Sequence, residues 1–255
     1  MKQAVIELFT IFLIAIGRYL AIAGSAFVIV YKWLPARMAA AKIQLRTVAA
    51  SQVWQEIRHS ATATLMLVIV AYAVMAGPLR PHTLIYASVH DYPLWWLPLS
   101  FVLALVMHDA YFYWLHRLIH HKRIFRYVHL VHHLSVNPTP WSSYSFHAVE
   151  AVLEAGIIPV LAFTLPLYPG TIAAFTLASF IINVYGHLGY EIMPQWFRRS
   201  VLFGIINTSC HHNQHHRRFR GNYGLYFRFW DRLMKTEHPD YVAEYDKVQE
   251  RRFGK

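Results

Sequence analysis

The chain has 255 residues, of which 56% are apolar and only 15% are charged. Soluble domains carry about 25% charged residues, so this composition predicts a membrane protein, with residues 1–255 forming a single integral domain. The net charge of +11 comes without any nucleic-acid-binding motif. We therefore assign the charge to membrane topology and lipid headgroups, and expect no nucleic-acid partner.

Long apolar runs predict the fold. They cover residues 4–34, 62–75, 94–115 and 148–185. The run 94–115 has about the 20 residues that a helix needs to cross a bilayer. The last run is split by the turn sequence Pro-Leu-Tyr-Pro-Gly at 166–170, so it can form two short spans or a re-entrant hairpin. We expect an all-α, multi-pass membrane helix bundle with about four spans, or two span-plus-hairpin pairs.

Basic residues predict the orientation of this bundle. They concentrate in 32–58, in 117–126 and in the tail from 198 onward, whereas 79–92 carries one arginine and no lysine. By the positive-inside rule the basic segments face the cytoplasm and 79–92 faces away. The expected location is a bacterial inner membrane or the endoplasmic reticulum, with a histidine-rich helical cap on the cytoplasmic face.

Histidines are concentrated in three short stretches, which hold ten of the chain's 17. Within each stretch the spacing is i, i+3 or i+4, which places the imidazoles on one face of a helix. Neutral imidazole is the commonest protein metal ligand, and one ion takes three or four of them in zinc sites. Eight candidates therefore predict two metal ions: His116, His120, His129, His132, His133, His212, His215 and His216.

A single histidine on a helix is usually a surface or capping residue, but the pattern His-x-x-His-His occurs twice here, which favours metal binding. The alternative to an enzyme is a histidine-rich membrane metal carrier or sensor without turnover. A carrier needs ligands near the middle of the bilayer. Here the first cluster begins where the run 94–115 ends, which instead suits an enzyme that acts on a lipid at the membrane boundary.

These motifs resemble those of the fatty acid hydroxylase/sterol desaturase superfamily of membrane di-iron oxygenases, closest to its C5-sterol-desaturase-like branch. The resemblance covers roughly residues 95–240, which we take as the catalytic region. It includes the three histidine stretches and the later sequences Asn-Tyr-Gly-Leu-Tyr-Phe at 222–227 and Trp-Asp-Arg-Leu at 230–233. One departure is Lys235, where many members of the superfamily have glycine before Thr236.

The resemblance implies an oxidoreductase with two Fe ions, O2 as co-substrate and an external electron donor protein. Its substrate would be a sterol or fatty-acyl lipid from the bilayer, hydroxylated or desaturated at a C–H bond. His187 matches a family position near the metals and becomes the ninth expected ligand. His147 lies in a His-x-x-Glu stretch like that of the family, which favours a second-shell role.

Asp109 lies near the end of an apolar run, where a charge is costly unless it is paired. We expect it to accept a hydrogen bond from a ligand imidazole. The neighbouring His108 is rotated about 80° from His116 on a helix and is expected to be a buried, hydrogen-bonded residue outside the site. His121 and His211 adjoin ligands but point away from the shared faces.

Overall fold

The structure is a computed structural model that describes residues 2–254. It is helical, and within those residues the only β-type pairings are two isolated bridges. The helices discussed below are numbered in chain order: α1 (Lys2–Trp33), α2 (Ala50–Met75), α3 (Trp96–Ile119), α4 (Leu130–His133), α5 (Ala148–Ala155), α6 (Ile157–Thr164), α7 (Pro169–Gly186), α8 (Ser209–Arg218) and α9 (Tyr241–Phe253).

Shorter helical segments connect these helices. They are Pro35–Met38, Phe125–Val128 and Phe229–Leu233, and the 3₁₀ turns Ala39–Ala41, Arg80–His82, Pro140–Tyr144, Gln195–Arg199 and Val201–Gly204. Helix α1 contains two π-helical stretches, Leu20–Gly24 and Val28–Trp33. Four helices, α1, α2, α3 and α7, are long and apolar enough to cross a membrane. The predicted all-α multi-pass bundle with about four spans is therefore confirmed.

Helix α2 begins earlier than the sequence predicts. The apolar run starts at residue 62, but the helix starts at Ala50, inside the basic segment that we read as a loop. Its polar first half is used in contacts with the loop that follows α4. Gln52 Nε2 donates to the Asn137 carbonyl at 2.9 Å, and the buried Glu56 accepts a hydrogen bond from Thr139. A hydropathy pattern cannot detect a helix whose polar side chains are satisfied by another segment.

The chain between 148 and 185 forms a hairpin of two arms. The first arm is broken into α5 and α6 at Gly156, and the second is α7. Glycine is required at this break, because a Cβ at Gly156 would lie 2.4 Å from the Tyr111 hydroxyl. That hydroxyl donates to the Leu153 carbonyl at 2.6 Å. Helix α7 starts with Pro169 at its first position, where the missing amide has no cost.

Hydrogen bonds locate the two ends of this hairpin. At its turn, Trp96 Nε1 donates to the Pro166 carbonyl at 2.8 Å, and the Tyr86 amide donates to Leu167 at 3.1 Å. Its other end carries His187, which lies beside His132. The hairpin therefore leaves the histidine end of the bundle and returns to it. The segment 79–92 packs against the turn, at the opposite end.

Arg18 in the middle of α1 pairs within the bundle. Its Nη1 donates to Thr176 Oγ1 at 3.1 Å, and its guanidinium lies 5.8 Å from the ring centre of Phe180. A charge inside a membrane span is costly unless it has such partners. Both partners belong to α7, so this arginine joins the first and last spans next to the apolar interior.

The separation of the two ends gives a test of topology. Cysteines placed at the exposed positions Ala87 and Ala243 should react from opposite sides of the membrane, with Ala243→Cys accessible from the cytoplasm. Labelling intact cells with a membrane-impermeant maleimide, before and after permeabilisation, measures this. The native Cys210 is buried and should give no background. Equal labelling of both positions in intact cells would contradict the arrangement.

Candidate metal centre

Nine imidazoles form two compact groups at one end of the bundle. In each group the candidate ligand atoms all lie within 4.8 Å of one another, and within residues 2–254 no carboxylate or thiol belongs to either group. The group of five contains His116, His120, His129, His133 and His215. The group of four contains His132, His187, His212 and His216. These are the nine residues that the sequence analysis proposed as ligands, including His187.

Within each group the Nε2 atoms converge. In the group of five, His116 Nε2 lies 3.1 Å from that of His129, and His120 lies 3.2 Å from His133 and His215. In the group of four, the corresponding distances are 3.0–3.3 Å. For metal–nitrogen bonds of about 2.1 Å, neighbouring ligand atoms lie about 3.0 Å apart in octahedral and about 3.4 Å apart in tetrahedral coordination. The observed spacings fall in this range.

Hydrogen bonds on the opposite ring nitrogen fix the direction of these lone pairs. Nδ1 of His116 lies 2.9 Å from the Tyr223 carbonyl, and Nδ1 of His215 lies 2.7 Å from the Gly221 carbonyl. A carbonyl can only accept, so Nδ1 must carry the proton and Nε2 must be bare. His187 is held in the same way by Asn183 at 2.8 Å. Such outer contacts orient metal-binding imidazoles and make them more basic.

A carboxylate performs this task for His129. Its Nδ1 lies 2.6 Å from Glu150 Oε1, and both residues are buried. Glu150 lies on α5, so the first arm of the hairpin contributes directly to the group of five. Glu150 itself stays outside the group, because it contacts the far side of the ring. It is therefore suited to orient a ligand but does not bridge two ions.

Burial keeps the imidazoles neutral. Removal from water lowers the pKa of His133 to about 3 and the pKa of His187 to about 4, and it holds the pKa of His216 well below its ordinary value. A neutral imidazole offers a lone pair, whereas a protonated one does not. At neutral pH these residues are consequently ready to bind a cation without first losing protons.

Helix α8, which carries His212, His215 and His216, is a polar helix that is largely buried. Its sequence is polar throughout, yet residues 209–216 are all buried. The helix is capped by Thr208, whose hydroxyl accepts from the His211 amide at 3.3 Å. Two side chains that do not face the metal groups are bound by other segments, since Gln44 Nε2 donates to Asn213 Oδ1 at 2.9 Å and Gln214 Nε2 donates to Asp240 at 3.0 Å. Such hydrogen bonds offset part of the cost of burying a polar helix.

The segment 221–227, which follows α8, supports the group of five. Its carbonyls at Gly221 and Tyr223 accept hydrogen bonds from His215 and His116. Two buried aspartates in turn bind the backbone amides of this segment. Asp231 accepts from the amides of Tyr223 at 2.9 Å and Gly224 at 2.7 Å. Asp109 on α3 accepts from the amides of Tyr226 at 2.8 Å and Phe227 at 3.1 Å.

The role of Asp109 therefore differs from the one we expected. Its recorded hydrogen bonds go to backbone amides and none goes to an imidazole, so it supports the site through the segment 221–227. His147 also differs from expectation, because its Nδ1 accepts from the Val149 amide at 3.3 Å and caps α5. The orienting group in this His-x-x-Glu stretch is Glu150. The sequence indicated the right stretch, but the spacing alone did not select the carboxylate.

The other histidines near the site lie outside both groups. His108 is buried and hydrogen-bonded to the Tyr226 hydroxyl at 2.7 Å, as expected. His121 is exposed and accepts from the Arg123 amide. His211 is buried on the opposite side of α8, with Nε2 lying 3.8 Å from Asp231 Oδ2. The register that uses His120 and His212 is thus the one in the structure.

An apolar cavity of about 310 Å³ lies within the bundle, beside the two groups. Its lining comes mainly from α1, α2, α3, the arm α5–α6 and α7, and it includes none of the nine imidazoles. Two lining rings connect it to the groups, because each packs on a histidine. The ring centre of Phe112 lies 4.9 Å from that of His116, and the ring centre of Phe146 lies 5.0 Å from that of His132. The cavity is in the size range of ligand pockets, and these two rings lie between it and the imidazoles.

Comparison with known proteins agrees with this geometry. Residues 101–236, more than half of the chain, match the family model described as fatty acid hydroxylase. The chain belongs to the fatty acid hydroxylase family. The match contains the group of five, the group of four and the segment 221–227.

Curated relatives favour the sterol desaturase branch that the motifs predicted. A Delta(7)-sterol 5(6)-desaturase of Gibberella zeae is 32% identical over 200 residues, which are 78% of this chain and 60% of the relative. Lathosterol oxidase of Rattus norvegicus is 31% identical over 192 residues, 74% of this chain and 62% of the relative. The chain thus spans about three-fifths of the length of these relatives. No solved structure matches it.

The backbone conformation at Lys235, the departure from the family motif, explains why glycine is common at this position in the family. It adopts φ 55°, in the left-handed region that favours glycine, and its side chain is exposed. The residue lies in the turn between Asp231 and Thr236, whose hydroxyl donates to the Asp231 carboxylate at 2.7 Å. A glycine at this position would satisfy the same turn without the steric cost of a Cβ.

We expect Lys235→Gly to raise the free energy of unfolding by about 1 kcal/mol, because a non-glycine residue in this region costs roughly 1–2 kcal/mol. Thermal unfolding of the purified protein measures it, with an increase of roughly 2–4 °C. Lys247→Gly is the matched control, since this exposed lysine lies inside α9 and glycine there should lower stability by about 1 kcal/mol. A decrease for both variants would contradict the explanation.

The Glu150–His129 contact gives a test of metal binding. Glu150→Ala should weaken iron binding about 10–100-fold, the usual effect of removing an outer partner of a ligand. Glu150→Gln keeps an acceptor for His129 Nδ1 and should therefore lose less of the affinity for iron. Competition with a chelator measures the affinity, and the exposed Glu250→Ala should match the wild type. Wild-type affinity in Glu150→Ala would show that the contact does not orient His129 for a metal.

Proposed function

We propose that the chain is a membrane-bound, O2-dependent oxidoreductase that holds two Fe ions and hydroxylates or desaturates a C–H bond of a lipid. This proposal rests above all on the pair of all-histidine groups next to an apolar cavity, whose lining rings Phe112 and Phe146 pack on His116 and His132. Family membership supports an enzyme, and the names of the relatives favour a sterol over a fatty-acyl lipid. We assign all nine imidazoles to the metals, five to one ion and four to the other.

The donor set fits iron. Imidazole suits iron among the transition metals, and the Nδ1 contacts leave Nε2 free for a metal in His116, His129, His187 and His215. The chemistry that bound iron would supply is activation of dioxygen and removal of hydrogen from an unactivated C–H bond. Hydroxylation and desaturation share that first step. The ligand set therefore does not separate the two reactions.

The protein's own residues hold the substrate and exclude water. Phe112 and Phe146 lie between the cavity and the imidazoles, so the side of the groups that faces the cavity is apolar and excludes water. The outer face of the bundle is apolar too, as at Leu99, Val102 and Val106 of α3, which suits contact with the bilayer. A lipid in the cavity would have its reactive carbon beside these two rings.

The remaining parts of the proposal concern setting. We assign residues 1–255 to one integral domain, with 95–240 as the catalytic region and the histidine end facing the cytoplasm of a bacterium or of a cell with endoplasmic reticulum. Electrons come from an external donor protein. The exposed basic residues that follow α3, Lys122 and Arg123, offer a surface for an acidic donor or for anionic lipid.

A metal carrier or sensor is the rival function. A carrier needs ligands along the path of the ion through the membrane. Here His116 lies in the last turn of α3 and His187 directly follows α7, so both groups lie at one end of the bundle. An apolar cavity also suits a lipid better than a hydrated ion. These two observations favour the enzyme.

Two single substitutions test the two-ion assignment. His132→Ala removes a ligand from the group of four, and His133→Ala removes one from the group of five. Each should lose about one of two bound irons and abolish turnover, because the remaining imidazoles cannot complete that ion's ligand set. Metal analysis of the purified variants measures the stoichiometry, and His59→Ala, which is outside both groups, should keep the wild-type value.

Lipid profiles of cells that express the wild type or His132→Ala test the reaction. We expect a lipid that has lost two hydrogens or gained one oxygen to appear only with the wild type. Full metal content in both His132→Ala and His133→Ala would refute the ligand assignment. Two bound irons with identical lipid profiles would refute the oxidation.

A further inference from the structure

A carboxyl group lines the apolar cavity without a partner. Glu154 on α5 faces the cavity, and among residues 2–254 no side chain or backbone group forms a recorded hydrogen bond with it. Other polar residues of the lining have partners, as Thr64 has in the Ser60 carbonyl and His108 in Tyr226. Glu154 is half-buried on an apolar wall. Removing a carboxyl group from water without a hydrogen bond is costly, so its position on a cavity wall points to a ligand.

The position of Glu154 relates it to the metal groups. It follows Glu150 by four residues, so the two carboxyl groups share one face of α5 and lie one turn, about 6 Å along the axis, apart. Glu150 contacts His129 of the group of five. A substrate group bound by Glu154 would therefore lie close to the carbon that is oxidised, and not at the far end of a long chain.

The surroundings select the chemistry of that group. An isolated carboxyl group in an apolar cavity is kept neutral, and a neutral carboxyl both donates and accepts a hydrogen bond. A hydroxyl group is its natural partner, since it also does both. A cation fits poorly, because it would lose its hydration and because Arg18 lines the same cavity. Arg18 does not neutralise Glu154, since its recorded partner is Thr176.

We propose that Glu154 is the residue that selects an alcohol as substrate, by hydrogen-bonding a hydroxyl group of the lipid on the cavity wall one helical turn from Glu150. This inference rests on the proposed lipid oxidation and narrows its substrate class. A ring alcohol such as a sterol has its hydroxyl within a few bonds of many ring carbons. A fatty-acyl chain that is oxidised far from its head group has no such group to offer.

Equilibrium binding to iron-loaded protein in nanodiscs, without reductant, tests the proposal without turnover. The probes are two matched pairs of radiolabelled lipids: lathosterol with its analogue in which hydrogen replaces the hydroxyl, and hexadecanol with hexadecane. The wild type should bind an alcohol about tenfold more tightly than its matched hydrocarbon, the effect of leaving a buried polar group unpaired.

Variants assign the preference to Glu154. Glu154→Leu should bind both members of a pair equally, whereas Glu154→Gln, which still donates and accepts, should keep most of the preference. The exposed Glu250→Leu should behave as the wild type. Iron content, measured on the same samples, shows that the metal groups are intact. If Glu154→Leu does not fold, Glu154→Ala takes its place, with the same expected loss of the preference.

Outcomes for the inference and for the proposed function can be told apart. A preference for hexadecanol that depends on Glu154, without lathosterol binding, supports the role of Glu154 and refutes a sterol substrate. Lathosterol binding with no preference for the alcohol, or with a preference that survives in Glu154→Leu, overturns the role of Glu154 and leaves lipid oxidation standing. Failure of every probe to bind the wild type overturns both.

Discussion

The structure depends on one constraint, which is that nine imidazoles, eight of them buried and His120 half-buried, must present bare Nε2 atoms to two common centres. An imidazole has two ring nitrogens, so the direction of one is set by a hydrogen bond to the other. The partners come from distant parts of the chain. Glu150 belongs to the hairpin, Asn183 to the last span, and Tyr223 to the C-terminal segment. Each of these elements is therefore fixed by the same requirement.

This constraint explains features that would otherwise destabilise a fold. Helix α8 is polar and is buried over residues 209–216, and the aspartates at 109 and 231 are buried as well. Each carboxylate accepts hydrogen bonds from two backbone amides, and those amides belong to the segment whose carbonyls hold His116 and His215. Such hydrogen bonds offset the cost of burying these two carboxylates. The network thus links the positions of the ligands to the stability of the whole histidine end.

The sequence predicted the parts of this arrangement that repeat with a helical period. The spacing of the histidines identified eight members of the two groups, the family resemblance added His187, and hydropathy located the four spans. Hydrogen bonds between distant segments were not predictable, because nothing in the spacing of Asp109 specifies whether it meets an imidazole or an amide. The same limit explains the early start of α2, whose Gln52 and Glu56 are satisfied by residues 137 and 139. The same limit applies to the His-x-x-Glu stretch, where the spacing did not show that Glu150, and not His147, is the partner of His129.

The division of labour between the two ends of the cavity follows from these facts. The imidazoles would determine where oxidation can occur, because they would hold the metals. They cannot distinguish one lipid from another, since they would contact the lipid only through those metals. Selection has to come from the cavity wall, where apolar rings such as Phe112 accept any hydrocarbon. A polar group on that wall can distinguish lipids, because a hydrogen bond depends on position as well as on area. Under the proposed function, the carbon that is oxidised would depend on the distance between this wall and the imidazoles, and α5 carries both Glu150, which contacts His129, and Glu154 of the wall.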